Sequence, residues 1–144
     1  MPDEKEIKKI EELEKQKNEY LAGWQRARAD FLNYKKEEME RIGELLKYAS
    51  EEFVLKVLPI LDNFEIIEKK MPDSLKNDEN VKGLLLVKKQ IQDLLKLQGV
   101  EEIETTGKNF DPNFMEAVEK EEEERKGYKI NGTLLRPAKV KIVK

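Results

Sequence analysis

Side chains able to do covalent or metal chemistry are few in this 144-residue chain, and their types exclude more than they permit. Histidine and cysteine are both absent, which removes Ser-His-Asp triads, Cys-His dyads and imidazole or thiolate zinc sites. Serine occurs only at Ser50, in a helical run, and at Ser74, in a loop. No glycine-rich phosphate cradle is present. Carboxylates are plentiful, and the run Glu121 to Glu124 is the one that suggests a metal. A calcium loop needs spaced ligands and a turn glycine, so this run is expected to be a solvated charged loop. The sequence therefore predicts no catalytic residue, no cofactor and no metal ligand. What remains is contact chemistry. Phe110 and Phe114 suit either an exposed apolar contact or the packing of a very small β domain, and Arg136 beside Pro137 reads as an inter-strand ion pair.

Composition narrows the class further. Charged residues make up 41% and aromatic residues 7%, too polar for a compact monomeric globule and suited to an elongated helical protein. The net charge is −3, with acidic and basic residues interleaved. The local excess at Arg26, Arg28, Lys35, Lys36 and Arg41 is diluted by Asp30, Glu37, Glu38 and Glu40. A nucleic-acid binder is expected to carry a basic stripe instead, so no nucleic-acid partner is expected. No apolar run approaches the roughly 18 residues that cross a bilayer, no signal-peptide core follows Met1, and no cysteine calls for an oxidising compartment. The expectation is a cytoplasmic chain with no membrane partner.

Any contact surface must be positioned by two unlike halves. Residues 3 to 58 contain no proline and two glycines, whereas residues 99 to 144 carry four glycines, two prolines and Asn131-Gly132. Helical patterning runs from about Ile7 to Leu58. Within it Tyr20, Phe31, Ile42, Phe53 and Phe64 stand eleven residues apart, and Ile10, Leu21 and Leu32 repeat that spacing. Eleven residues over three turns predict a nearly straight or weakly right-handed seam; an ordinary imperfect coiled coil is the alternative. Both predict a homodimer, in parallel. Gly23 and Gly43 each cost about 1 kcal/mol against alanine, so this helix is expected to melt before the rest.

Pro59 is expected to end that helix and to open a short one, Pro59 to Lys70. A loop from Met71 and a helix from Val81 to Gln98 follow, with Gly99 as its C-cap. Two such helices per chain suggest a dimeric four-helix bundle. Beyond Gly99, strands are expected at Val100 to Glu104, on both sides of Asn131-Gly132, and from Ala138, with Pro137 confining the last strand to an edge or bulge. The fold class is thus α+β: residues 1–58 a long paired helix, 59–98 the bundle helices, 99–144 a small, mostly antiparallel β domain.

The ordered motifs of the chain resemble the GrpE family, nucleotide exchange factors of bacterial-type Hsp70 (DnaK) chaperones. The matching pieces are Arg28-Ala29-Asp30-Phe31-Leu32-Asn33-Tyr34, Leu58-Pro59-Ile60-Leu61-Asp62-Asn63-Phe64 and Gly99-Val100-Glu101-Glu102-Ile103. Further on come Phe110-Asp111-Pro112 with Met115 to Val118, Gly127-Tyr128, and Gly132 followed by Leu135-Arg136-Pro137-Ala138 and Val140. They fall in the family's order over about residues 20 to 144. Two features depart from it: methionine at 115, where histidine is common, and only nine residues, nearly all charged, between Ala117 and Gly127. A strand or hairpin of the β domain is expected to be trimmed there.

The resemblance implies a parallel homodimer whose β domain binds the Hsp70 ATPase domain and favours an open nucleotide cleft. ADP then leaves in protein folding and the heat-stress response, with at most an indirect contact to unfolded client protein. Such a co-chaperone needs no catalytic residue, because differential affinity for open and closed states shifts the population. Carried over by position, the chaperone-contact candidates are Met115, Arg136, Pro137 and Val140 on the β domain and Lys35, Lys36, Phe53 and Gly83 on the helices. Phe53 also belongs to the dimer seam. Arg136 is expected to matter most, as a surface arginine suited to an interface hot spot. The alternative is a dimeric coiled-coil scaffold or adaptor without exchange activity.

Overall fold

The computed structural model describes residues 1–143, and the chain divides into two compact units, Met1–Lys47 and Tyr48–Lys144. Helix α1, Glu4–Lys70, contributes to both. Its start is a reciprocal cap: the Asp3 carboxylate accepts from the Glu6 amide at 2.8 Å, and Glu6 accepts from the Asp3 amide at 3.1 Å. Two donors that the first helical turn cannot satisfy are satisfied in this way. Within Met1–Lys47 the seam residues Tyr20, Phe31 and Ile42 are each more than half exposed, as is Trp24. Cations cover some of this apolar face, Arg28 lying 5.3 Å from the Trp24 ring centroid and Lys35 5.7 Å from that of Phe31.

In Tyr48–Lys144 the chain departs from one sequence expectation. Helix α1 does not end at Pro59 but runs through it to Lys70. An interior proline removes one backbone hydrogen bond and costs about 3 kcal/mol. Here Pro59 faces outward, while Leu58 and Leu61 beside it are the largest fully buried side chains among the described residues. Burying a leucine contributes about 1.5–3 kcal/mol, so the pair offsets the proline. A 3-10 turn at Asp73–Leu75 leads to helix α2, Glu79–Leu97. That helix begins two residues before the expected start because Asp78 caps it, accepting from Asn80 N at 2.9 Å and Val81 N at 3.3 Å.

Gly99, at φ 83°, turns the chain out of α2 into strand β1, Val100–Glu102. Strand β2 is Met115–Ala117, β3 Tyr128–Ile130, β4 Thr133–Arg136 and β5 Ala138–Val140. β1, β3 and β4 form an antiparallel sheet in that order, and β2 pairs with β5 in parallel. The β3–β4 hairpin turns at Asn131 and Gly132, both at positive φ (47° and 84°), the primed turn that Asn-Gly favours. Pro137 sits where the chain leaves one sheet for the other, a point at which no ladder donor is needed. The core joins Val54, Leu58 and Leu61 of α1 to Leu95 of α2, Val100 of β1, and Tyr128 and Ile130 of β3.

The short charged stretch before Gly127 is spanned by minimal means. A 3-10 turn at Glu121–Glu123 is followed by a single antiparallel bridge, Arg125 to Lys139, with backbone bonds of 3.0 and 2.8 Å. One bridged residue thus lies against β5, opposite β2.

Candidate functional site

Arg136 ends β4, and its guanidinium turns inward onto α1. Nη1 donates to Asp62 Oδ2 at 2.7 Å and Nη2 to Asp62 Oδ1 at 2.5 Å, a bidentate fork. Nε donates to the Lys126 carbonyl at 2.9 Å, and the group lies 5.3 Å from the Tyr128 ring centroid. Planar guanidinium is suited to this arrangement because its donors match a carboxylate in direction as well as charge. Only 8% of Arg136 is exposed. The expectation of a surface arginine is therefore corrected, as is that of an inter-strand ion pair, since the partner is a helix residue. Solvation would leave the charge free, but Leu135 packs on the core just before it and Asp62 directly follows buried Leu61.

A second set of charges lies one turn along α1. Lys88 of α2, 8% exposed, reaches Glu65 Oε1 at 2.6 Å and Glu68 Oε1 at 2.8 Å. Lys126 reaches the same Glu65 oxygen at 2.9 Å and Glu102 of β1 at 3.4 Å. Burial pushes the Glu65 carboxyl upward, but the ammonium groups of Lys88 and Lys126 beside it outweigh this and hold it below its ordinary range. Burial likewise works against the charged Lys88 and Lys126, and their carboxylate partners, led by Glu65, raise both instead. Tyr128 is pushed up to about 12, first by burial and then by the nearby Glu102. Charges on α1, α2 and the β segments thus hold one another in place.

The other contact candidates fall into distinct environments. Met115 is buried at the start of β2, while Pro137 and Val140 are half-buried. Met115 pairs in register with Ala138 and Ala117 with Val140, so the two sheet edges at Met115 and Pro137–Val140 form one patch. Gly127 makes that patch compact, since a Cβ there would collide with the Ala138 backbone nitrogen and stand 2.8 Å from its Cα. Phe114 is half-buried, with the Lys129 ammonium 4.0 Å from its ring centroid, and Phe110 is exposed. Lys35, Lys36 and Gly83 are exposed, and nothing lies within 4 Å of a Cβ built on Gly83. Phe53 is exposed and Phe64 half-buried. The run Glu121 to Glu124 belongs to no cluster able to hold a metal ion among the described residues.

Glu65 and Lys88 have no mark in the sequence as site residues, and Asp62 stands there only inside the matching piece Leu58 to Phe64. Asp62 carried one weak signal, a lone carboxylate directly after Leu58 to Leu61. Lys88 carried none, because a lysine in an amphipathic helix reads as solvated.

The profile of the GrpE family matches residues 2–144. The chain belongs to the GrpE family. It is 40% identical to "Protein GrpE" of Alkaliphilus oremlandii, over 94% of this chain and 78% of that protein. It is 35% identical to "Protein GrpE" of Bacillus subtilis, over 90% of this chain and 73% of that protein. Identity is 36% to "Protein GrpE" of Campylobacter curvus, over 93% and 81% respectively. The co-chaperone role of a DnaK nucleotide exchange factor follows from membership of GrpE. No helix among the described residues of this GrpE chain is long and apolar enough to cross a membrane.

Proposed function

We propose that this chain binds the ATPase domain of a DnaK-type Hsp70 and promotes ADP release. The carrying observation is the GrpE match over residues 2–144, which includes both the helices and the β segments. The β2–β5 patch supplies the contact: Pro137 and Val140 offer half-exposed apolar surface, and Met115, in register with Ala138, is buried in the adjoining strand. Arg136 serves it from below through Asp62. Lys35, Lys36 and Gly83 are exposed on α1 and α2 and provide further contacts. Exchange then needs no group that reacts; the factor binds the open nucleotide cleft more tightly than the closed one, and the difference moves the equilibrium.

The same reading makes the protein a parallel homodimer acting in the cytoplasm. Tyr20, Phe31, Ile42 and Phe53 are exposed at eleven-residue intervals, and Leu84, Leu86, Val87, Leu94 and Leu97 of α2 are exposed as well. Apolar surface of this kind is what a second copy would bury. The test is stopped-flow release of a fluorescent ADP analogue from a DnaK-type Hsp70. Wild-type protein is expected to accelerate release in a saturable manner. Release at the uncatalysed rate would refute exchange activity and leave a scaffold. Sedimentation is expected to give a dimer, and Phe31→Asp a monomer.

A further inference from the structure

The structure assigns to Asp62 a positioning role: its fork with Arg136 fixes the β2–β5 patch at the angle that nucleotide exchange requires. This rests on the exchange activity proposed above. Arg136 is the last residue of β4, and Pro137 follows it immediately, so the point where the chain turns into β5 is held at the carboxylate of a helix residue. The third donor of the same side chain holds the Lys126 carbonyl at 2.9 Å. Gly127 comes next, and its backbone is pressed against Pro137 and Ala138. One guanidinium therefore ties α1, the approach to β3, the end of β4 and the entry to β5.

The apolar core joins α1 to β3 and β4 but includes no residue of β2 or β5, and its dispersion contacts are non-directional. Two parallel hydrogen bonds between planar groups are directional. A factor whose contact patch can tilt still touches its partner. It no longer distinguishes an open cleft from a closed one, and a ligand without differential affinity shifts nothing.

The experiment is the same ADP-release assay, run over a range of factor concentrations with full-length wild type, Asp62→Asn and Arg136→Lys. Asparagine keeps the size of the side chain but loses the second anionic oxygen, and lysine keeps the charge but cannot fork. The expected result is a plateau release rate lowered about tenfold in both variants, with half-saturating concentration changed less than about threefold. A merely structural role would lower the amount of active factor and shift half-saturation, not the plateau. Amide protection at Ile130 checks folding, and if Asp62→Asn fails that check, Arg136→Lys carries the test. Plateaus within about twofold of wild type, or a change confined to half-saturation, would overturn the inference. Wild type that does not accelerate release would instead refute the exchange activity itself.

Discussion

Glu65→Gln isolates the charge at the centre of the second network while keeping the side chain's size. In the wild type one carboxylate oxygen lies 2.6 Å from the Lys88 ammonium and 2.9 Å from that of Lys126, as the shared anion of two ion pairs. A hydrogen bond to a charged group contributes about 1.5–3 kcal/mol, against about 1 kcal/mol for a neutral pair. Glutamine keeps the oxygen and removes the charge, so the loss per contact is of the order of the difference between these. Lys88 retains Glu68 and Lys126 retains Glu102, and the network is partly open to solvent, which screens it. The expected destabilisation of Tyr48–Lys144 is therefore about 1–2 kcal/mol, not the 3–5 of a fully buried pair broken on one side.

The pH dependence of that difference gives a sharper test. The folded Glu65 carboxyl titrates below its ordinary value, so its stabilisation is fully present above the unfolded pKa of about 4.3. It is lost as pH falls through the lower, folded value. The gap between wild type and variant is expected to be constant from pH 6 to 8, by about 1–2 kcal/mol, and to close in acid below about pH 4. Urea unfolding followed at the Val100 and Ile130 amides measures it. Urea is preferred because guanidinium is itself a salt that screens the pair. Protomer concentration is held fixed because association shifts apparent stability. A gap under about 0.5 kcal/mol at neutral pH, or one that persists unchanged in acid, would refute the reasoning.

Two further outcomes follow from the glycines. Gly127→Ala drives a methyl group into the backbone of Pro137 and Ala138 and is expected to cost about 3 kcal/mol by overpacking. Loss of hydrogen-exchange protection at Ile103, whose amide bonds the Gly127 carbonyl, measures it, and an unchanged urea midpoint would count against it. Gly23→Ala and Gly43→Ala meet open space and are expected to stabilise the N-terminal helix by about 1 kcal/mol each. A low-temperature helix transition in circular dichroism should then move upward; no such transition, or one that stays put, contradicts the early-melting helix.

What the sequence determined lies where the deciding interactions are local. Asn131-Gly132 specifies its hairpin through two positive φ angles, and Gly99 ends α2 for the same reason. The helical run of α1 as far as Leu58 follows from its hydrophobic period and the absence of proline from residues 3 to 58. The ordered motifs fixed the family, because each is a short string readable without coordinates. Tertiary structure decided what depends on residues far apart in the chain. Helix α1 passes Pro59 because Leu58 and Leu61 are buried by strands about forty to eighty residues later, a gain larger than the local propensity it opposes. Arg136 is buried and not a surface contact because Asp62, 74 residues away, offers a carboxylate at the matching angle. The parallel pairing of β2 with β5, and the grip of Lys88 on Glu65 and Glu68, likewise have no local signature. Charge in a sequence says only that a group must be solvated or paired, and the partner is chosen by the fold.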